Sequence, residues 1–257
     1  MNTIFSGLER QNQIMQLLAC NQRIRVTEIC ETFEVSEATA RRDLEALAVQ
    51  GKLQRVHGGA IPVGRAAPEL PLLERCLEQA SEKERIGKAA AAMVNNNETI
   101  LLGSGTTVLE VAKNIREHKG LTVITNSLPV INTLSGLPEI SVIVLGGMLR
   151  GSELSFIGHI TEQALAEVRA EKVFIGTRAI SLDQGLTNDY LQETMTDRAI
   201  LKAGREVIVV ADHSKFGRVA AALLAPLESV HTIVTDEGTQ QEFLDAVQER
   251  GLRVVTA

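Results

Sequence analysis

The feature that most constrains the fold is a regular alternation of short aliphatic segments with helical stretches, which begins at Thr99. The segments are apolar throughout, which is typical of strands that helices cover on both faces. The pattern therefore predicts an α/β domain built on a parallel sheet. The predicted strands are residues 99–102, 121–125, 140–145, 172–176, 206–210, 232–235 and 253–255.

The segment that follows the first strand, residues 103–112, reads GSGTTVLEVA. Ligands of open parallel sheets bind at the carboxyl ends of strands. Gly105 lets the backbone curl, and the amides and hydroxyls of Ser104, Thr106 and Thr107 could bind a phosphate or carboxylate at a helix start. The segment is neither a dinucleotide fingerprint nor a P-loop, since the third glycine and the Gly-Lys pair are both missing. The alternative is a glycine-rich turn that only connects strand to helix.

Three further strand ends carry polar or glycine residues. Asn126 could bond a ligand hydroxyl or cap the next helix, and Gly146–Gly147 would allow close approach of the backbone. Lys215 could neutralise a phosphate while Asp212 accepts from sugar hydroxyls, although the two could equally form an internal ion pair. Together these residues predict a crevice for a small, anionic, hydroxylated molecule such as a phosphorylated sugar.

The first sixty residues read differently, as three short helices. Residues 9–20 form an amphipathic helix, and Thr27 is the predicted N-cap of a second. Ser36 is the predicted N-cap of a third helix, which reads SEATARRDLEAL. Two helices joined by a turn as short as Glu34–Val35 predict a helix-turn-helix.

The third helix has one apolar stripe and one polar, basic face. Ala40, Leu44 and Leu47 face the core, and small, hydrogen-bonding and arginine side chains lie opposite. Such a face suits the major groove of DNA, although an ordinary solvated helix would look similar. Gly51 ends this helix, and a hairpin turning at Gly58–Gly59 follows as a basic wing. The predicted DNA contacts are Ser36, Ala38, Thr39, Arg41, Arg42, Lys52, Arg55 and His57.

Residues 35–60, VSEATARRDLEALAVQGKLQRVHGGA, resemble the N-terminal signature of the DeoR-type transcription regulators. The strings EKERIGKAA, GSGTT, TNS, LGG, FIG, GLTN and DHSKFG resemble the sensor domain of the same family, which is similar to the ribose-5-phosphate isomerase fold. The resemblance implies a sugar-phosphate effector held by Ser104–Thr107, Asn126, Gly146–Gly147, Glu193 and Lys215. The chain departs from the family pattern at three places: Ala40 stands where a larger aliphatic residue is usual, Gly103 replaces a common Asp, and Arg178–Ala179 replaces a frequent Asp-Gly.

We therefore expect a winged helix-turn-helix DNA-binding domain over 1–62, a linker over 63–79, and a larger Rossmann-like α/β sensor and oligomerisation domain over 80–257. The expected partners are double-stranded operator DNA, a phosphorylated sugar or polyol, and further copies of the chain in a dimer or tetramer. No cofactor or metal is expected, because His57 has no second ligand at a suitable spacing. No apolar run approaches the roughly 20 residues that span a bilayer, and no secretion signal is recognisable, so we expect a cytoplasmic protein.

The net charge of −6 does not by itself indicate a nucleic-acid-binding protein. Over residues 1–62, however, basic and acidic residues balance, so this part of the chain is less acidic than the rest. Repression is the expected mode of action, and two other hypotheses stay open. One is a sugar-phosphate isomerase or deaminase in which Glu193, Asp189 or Asp212 acts as a base. The other is a constitutive DNA-binding protein whose second domain only oligomerises.

Overall fold

The computed structural model describes residues 7–21, 23–56, 58–64 and 70–257, apart from the side chain of Cys20. The chain divides into two compact units, Met1–Pro68 and Glu69–Ala257. Each unit has its own hydrophobic core. No helix in the described ranges is long and apolar enough to cross a membrane.

The first unit is a winged helix-turn-helix. Its small sheet has the order β1-β3-β2, and both pairings are antiparallel. The buried side chains of its core include those of Ile14, Leu44 and Leu47. The elements are α1 (Gly7–Asn21), β1 (Ile24–Arg25), α2 (Val26–Phe33), α3 (Glu37–Val49), β2 (Leu53–Val56) and β3 (Gly59–Pro62).

Helix α2 begins earlier than the sequence suggests. Arg25 and not Thr27 is the N-cap residue, and Thr27 lies within the first turn. The carboxylate of Glu28, the third residue of the helix, accepts the backbone N–H of Arg25 at 2.9 Å, which is the bond that an acidic residue at this position makes in a capping box. The prediction that Ser36 caps α3 is confirmed, because its hydroxyl accepts the Thr39 N–H at 3.3 Å.

The wing is held close to the first strand by a glycine. A Cβ atom on Gly59 would lie 2.0 Å from the carbonyl oxygen of Ile24, so only glycine fits where β3 pairs with β1. The hairpin turn uses Gly58 at a φ of 73°, in the left-handed region that favours glycine.

The second unit contains the predicted parallel sheet. Its strands are β4 (Thr99–Leu102), β5 (Leu121–Thr125), β6 (Ile140–Val144), β7 (Met148–Arg150), β8 (Ser155–Ile157), β9 (Ala170–Ile175), β10 (Ala179–Ser181), β11 (Gly185–Asn188), β12 (Gly204–Val210), β13 (Ala222–Ala225), β14 (Thr232–Thr235) and β15 (Arg253–Thr256). Its helices are α4 (Leu72–Arg75), α5 (Ala80–Ala91), α6 (Thr106–Asn114), α7 (Leu128–Leu134), α8 (His159–Ala166), α9 (Leu191–Ala203) and α10 (Gln241–Glu249), with 3₁₀ turns at His213–Lys215 and Leu227–Ser229.

All seven predicted strands join one sheet of order β15-β14-β12-β9-β4-β5-β6. Every pairing in it is parallel. The chain runs outward from β4 through β5 to β6, then returns to the other side of β4 at β9. The order therefore reverses between β4 and β9, which is where ligands of such sheets bind. Two small antiparallel sheets, β10-β11-β13 and β7-β8, complete the unit.

Consecutive residues of the central strands enter different hydrophobic clusters. Leu101 and Val173 belong to one cluster, and their neighbours Ile100 and Phe174 belong to the other. Because side chains of a strand alternate between the two faces of a sheet, both faces are buried. This explains why the strands read as unbroken apolar runs.

Part of the segment that we predict as a linker has structure of its own. Leu72 and Arg75 of α4 are buried, and the Leu72 N–H donates to the carbonyl oxygen of Ser152 at 2.8 Å. This end of the segment is therefore fixed to the second unit.

Candidate DNA-binding surface and effector pocket

The outer face of α3 presents most of the predicted DNA contacts. Ser36, Ala38, Arg41 and Arg42 are exposed, and Thr39 is half-buried. The hydroxyls of Ser36 and Thr39 lie 3.0 Å apart and can bond each other. The start of the helix is therefore capped within the chain, and its exposed side chains are the groups that a phosphate or base edge could approach.

The predicted cations of this surface differ in how they are held. Arg41 pairs with Glu37 at 3.2 Å, and Arg55 donates to the Glu45 carboxylate at 3.0 Å. Lys52 is exposed on the hairpin. The side chains of Arg42 and Lys52 make no hydrogen bond or ion pair with any residue that the structure describes, so both side chains are available to DNA. His57 lies outside the described residues.

A buried ion pair that we did not anticipate fixes the orientation of α3. Asp43 is buried, and its carboxylate accepts from Arg10 at 2.5 Å and from the Gln11 amide at 3.2 Å. The signal was present in the sequence, since Asp43 lies three residues after Ala40 and four before Leu47 on the core-facing stripe. The pair ties the recognition helix to α1.

The second unit contains a cleft at the carboxyl ends of β4, β9 and β12, at the reversal of strand order. Its empty volume, counting the open mouth, is about 570 Å³. The lining residues are Arg75, Ser104, Gly105, Thr106, Thr107, Glu153, Gly176, Thr177, Arg178, Asn188, Asp189, Glu193, Asp197, Val210, Ala211 and Lys215.

The segment Ser104–Thr107 forms one wall of this cleft, as we predicted for an anion cradle. Gly105 is the N-cap of α6 with a φ of 116°, and it provides no side-chain cap for the first turn. The amides at this helix start are thus left for a ligand, and the helix dipole favours an anion there.

Lys215 lines the same cleft from the 3₁₀ turn that follows β12. Burial lowers the pKa of Lys215 to about 8; Asp212 opposes this shift, and the cations Arg178, Lys83 and Arg75 add to it. Its ammonium group makes no hydrogen bond or ion pair within the described part of the chain. A half-buried cation of this kind favours an anionic ligand, which would replace its lost hydration.

Asp212 is not among the residues that line the cleft. It is buried, and one carboxylate oxygen accepts the Ser214 N–H at 3.0 Å, which caps the 3₁₀ turn. Burial alone would raise the pKa of Asp212, but Lys215 and the bonds from Ser214 outweigh burial and lower it. Asp212 therefore positions the Lys215 turn.

The cleft lining also includes carboxylates that already have partners. Glu193 accepts from the Ser155 hydroxyl at 2.8 Å and pairs closely with Arg150. Asp197 accepts from Asn188 at 2.9 Å. These groups add acceptors to the lining, which suits a hydroxylated ligand.

Arg178 is a departure from the family pattern, and it lines the cleft. Its guanidinium pairs with the Asp189 carboxylate at 3.0 Å, and its backbone N–H donates to the Asn188 side-chain oxygen at 3.0 Å. Gly103, another departure, is in ordinary contact with its surroundings, because a Cβ there would lie 3.5 Å from the Ile175 side chain.

Besides Asp212, three other predicted effector residues are not among those that line the cleft. Asn126 is buried, and its amide donates to the Phe156 carbonyl at 2.9 Å. Gly146 and Gly147 follow β6 at the sheet edge, where the Gly146 carbonyl accepts from Thr161 at 2.8 Å. A Cβ on Gly147 would lie 2.1 Å from the Thr161 hydroxyl oxygen, so this glycine serves packing against α8. Strands β5 and β6, which these residues follow, lie on the far side of β4 from β9.

The cleft also contains residues that sequence reasoning missed. Thr177 follows β9 as Ser104 follows β4, so the strand-end rule would have found it. Arg75 and Glu153 carried no such signal, because they come from α4 and from the loop between β7 and β8. No group of three His, Cys, Asp or Glu suited to a metal ion occurs among the described residues.

Two family models match the chain. Residues 10–64 match the DeoR-like helix-turn-helix domain, and residues 78–237 match the DeoR C-terminal sensor domain. Together the two matches cover most of the chain, and each falls within one of its two compact units.

Curated relatives are similar along nearly their whole length. The transcriptional repressor AccR of Agrobacterium fabrum is 36% identical over 95% of both chains. The glycerol-3-phosphate regulon repressor of Escherichia coli is 35% identical over 89% of this chain and 90% of that protein. Among solved structures, ribose 5-phosphate isomerase from Plasmodium falciparum matches with a TM-score of 0.40 and 20% identity, over 53% of this chain and 52% of that one.

Proposed function

The chain belongs to the DeoR family of DNA-binding transcription regulators, and we propose that it is a repressor released from its operator by a phosphorylated sugar or polyol. The sensor domain is then a binding module and not an enzyme. A regulator of a bacterial chromosome acts in the cytoplasm, which is where we propose that it works.

The observation that carries the proposal is the pairing of two anion-binding features in one cleft. The uncapped start of α6 at Gly105 and the half-buried ammonium of Lys215 both line it. Acceptor groups of Asp197 and Glu193 line it as well, where ligand hydroxyls could donate. A compound with a phosphate at one end and hydroxyls along its length matches this distribution.

The relatives support the same ligand class. The Escherichia coli relative is named for glycerol 3-phosphate, a phosphorylated polyol. We propose a ligand of this class for the present chain without specifying the carbon skeleton.

We propose that the chain acts as a dimer or tetramer. Two winged heads related by a two-fold axis would bind half-sites about one helical turn apart. Effector binding would favour a conformation in which the heads no longer fit the operator. A coupling of about 1–3 kcal/mol would change operator affinity roughly 5- to 150-fold.

A thermal-stability panel of phosphorylated sugars and polyols, each with its unphosphorylated counterpart, tests the proposal. A ligand at 100 times its dissociation constant should stabilise the protein by about 2.7 kcal/mol. The same compound should release the protein from duplexes selected out of a random pool, measured by fluorescence anisotropy. Specific DNA binding with no response to any phosphorylated compound would favour the constitutive hypothesis.

A further inference from the structure

Arg75 lies in the first helix after the segment that leads from the DNA-binding unit, yet it lines the effector cleft. Only 8% of the residue is exposed. Its guanidinium donates to the Leu70 carbonyl at 2.9 Å and pairs closely with the carboxylate of Glu153. A buried arginine on the cleft wall is a strong candidate for binding phosphate, because its planar fork matches phosphate oxygens.

Glu153 occupies the cleft beside the proposed phosphate site. It is 4% exposed, and its Oε1 atom lies 4.0 Å from where a Cβ on Gly105 would be. The carboxylate is thus close both to Arg75 and to the start of α6, the two features that attract an anion. In the ligand-free cleft its negative charge neutralises the guanidinium of Arg75.

We propose that Arg75 is an effector-binding residue and that Glu153 holds the place of the effector's phosphate until the effector binds. This inference rests on the proposed function, since it requires an anionic effector. A phosphate dianion carries more charge and more acceptor oxygens than a carboxylate, so it competes well for Arg75. Its charge also repels the Glu153 carboxylate, which moves away from the cleft.

The exchange connects the cleft to the segment that leads to the DNA-binding unit. Ser152, next to Glu153 in the chain, holds α4 through the bond from the Leu72 N–H at 2.8 Å. Arg75 itself belongs to α4, and its carbonyl accepts from Lys83 at 2.7 Å. When Arg75 changes partner and Glu153 moves, two anchors of α4 change together.

Two variants of the full-length protein, Arg75→Gln and Glu153→Gln, test the exchange because the competition model gives them opposite effects. Calorimetric titration with inorganic phosphate, and with the panel compound that stabilises wild type most, measures affinity. Arg75→Gln should weaken binding about 10- to 100-fold, since a charge-assisted bond is lost. Glu153→Gln should tighten binding about tenfold and lower the effector concentration that releases DNA, because the competitor is gone.

Each variant breaks the same ion pair, so a merely structural pair would make both variants bind more weakly. That result, with a wild-type response intact, overturns the exchange and leaves the proposed function standing. Failure of wild type to respond to any phosphorylated compound overturns both. If Arg75→Gln does not fold, Arg75→Lys replaces it, and weaker effector binding is again expected because lysine lacks the planar fork. Glu153→Gln then decides. Tighter effector binding by this variant supports the exchange, and unchanged or weaker binding contradicts it. The exposed residues Arg116 and Glu139, changed to Gln, serve as matched controls.

Discussion

Raising the pH from 7 to 9 should weaken effector binding by about tenfold, because the ammonium of Lys215 loses its proton in this range. With the pKa of Lys215 lowered to about 8, the side chain of the free protein is mostly charged at pH 7 and mostly neutral at pH 9. The protonated fraction falls from about 90% to about 10%. A phosphate bound beside Lys215 raises its pKa again, so the complex keeps the proton that the free protein has lost. The affinity is therefore full well below pH 8 and decreases as the pH rises through 8.

Calorimetric titration at pH 7, 8 and 9 measures this linkage. At pH 8, buffers of different ionisation enthalpy should reveal an uptake of about half a proton per effector, since half of the free Lys215 is neutral there. The phosphate itself contributes little, because its second pKa is about 6.

The neighbouring charged groups are Asp212, Arg178, Lys83 and Arg75, and the pKa of Lys83 is also lowered. Lys215→Met separates these contributions: its affinity should be low and constant from pH 7 to 9. A wild-type affinity that does not change over this range refutes the reasoning. So does a decline of equal size in Lys215→Met.

Three further predictions follow from the same structure. Arg42→Ala should abolish specific operator binding, since this exposed side chain makes no hydrogen bond or ion pair with a described residue and is free to bind DNA. Fluorescence anisotropy measures the loss, and the melting temperature should be unchanged. Retained specific binding would exclude α3 as the recognition helix. Gly59→Ala should destabilise the winged unit, because the new Cβ would meet the Ile24 carbonyl oxygen at 2.0 Å. Hydrogen exchange should show a loss of amide protection in residues 7–64 alone. The free energy of unfolding of the ligand-free protein should rise as the pH increases from 8 toward 10.5, because the unfolded chain retains the Lys215 proton that the folded one releases. Chemical denaturation measures this rise, which should be smaller in Lys215→Met.

Much of the fold follows from local patterns. Unbroken apolar segments such as residues 99–102 and 121–125 predict strands buried on both faces, and the structure has these two with the same bounds. Ser36 caps α3 as its hydroxyl suggests, and Gly58 turns the hairpin. These features depend on the chemistry of neighbouring residues, which a sequence displays directly. The predicted start of α2 was wrong: the helix begins at Val26 with Arg25 as its N-cap, and Glu28, its third residue, accepts the Arg25 N–H.

The membership of the cleft depended on the order of the strands in the sheet. The rule that ligands bind at strand ends selected Ser104–Thr107 and Lys215, and both line the cleft. The same rule selected Asn126 and Gly146–Gly147, which are not among the lining residues. They follow β5 and β6, which lie on the outer side of β4. Arg75 and Glu153 are 78 residues apart in the chain and meet through a buried ion pair. The sequence by itself determined which segments become strands, helices and turns, because those choices are made by neighbouring residues. Only the tertiary structure decided which of their ends converge, because strand order depends on long-range packing that no local pattern records.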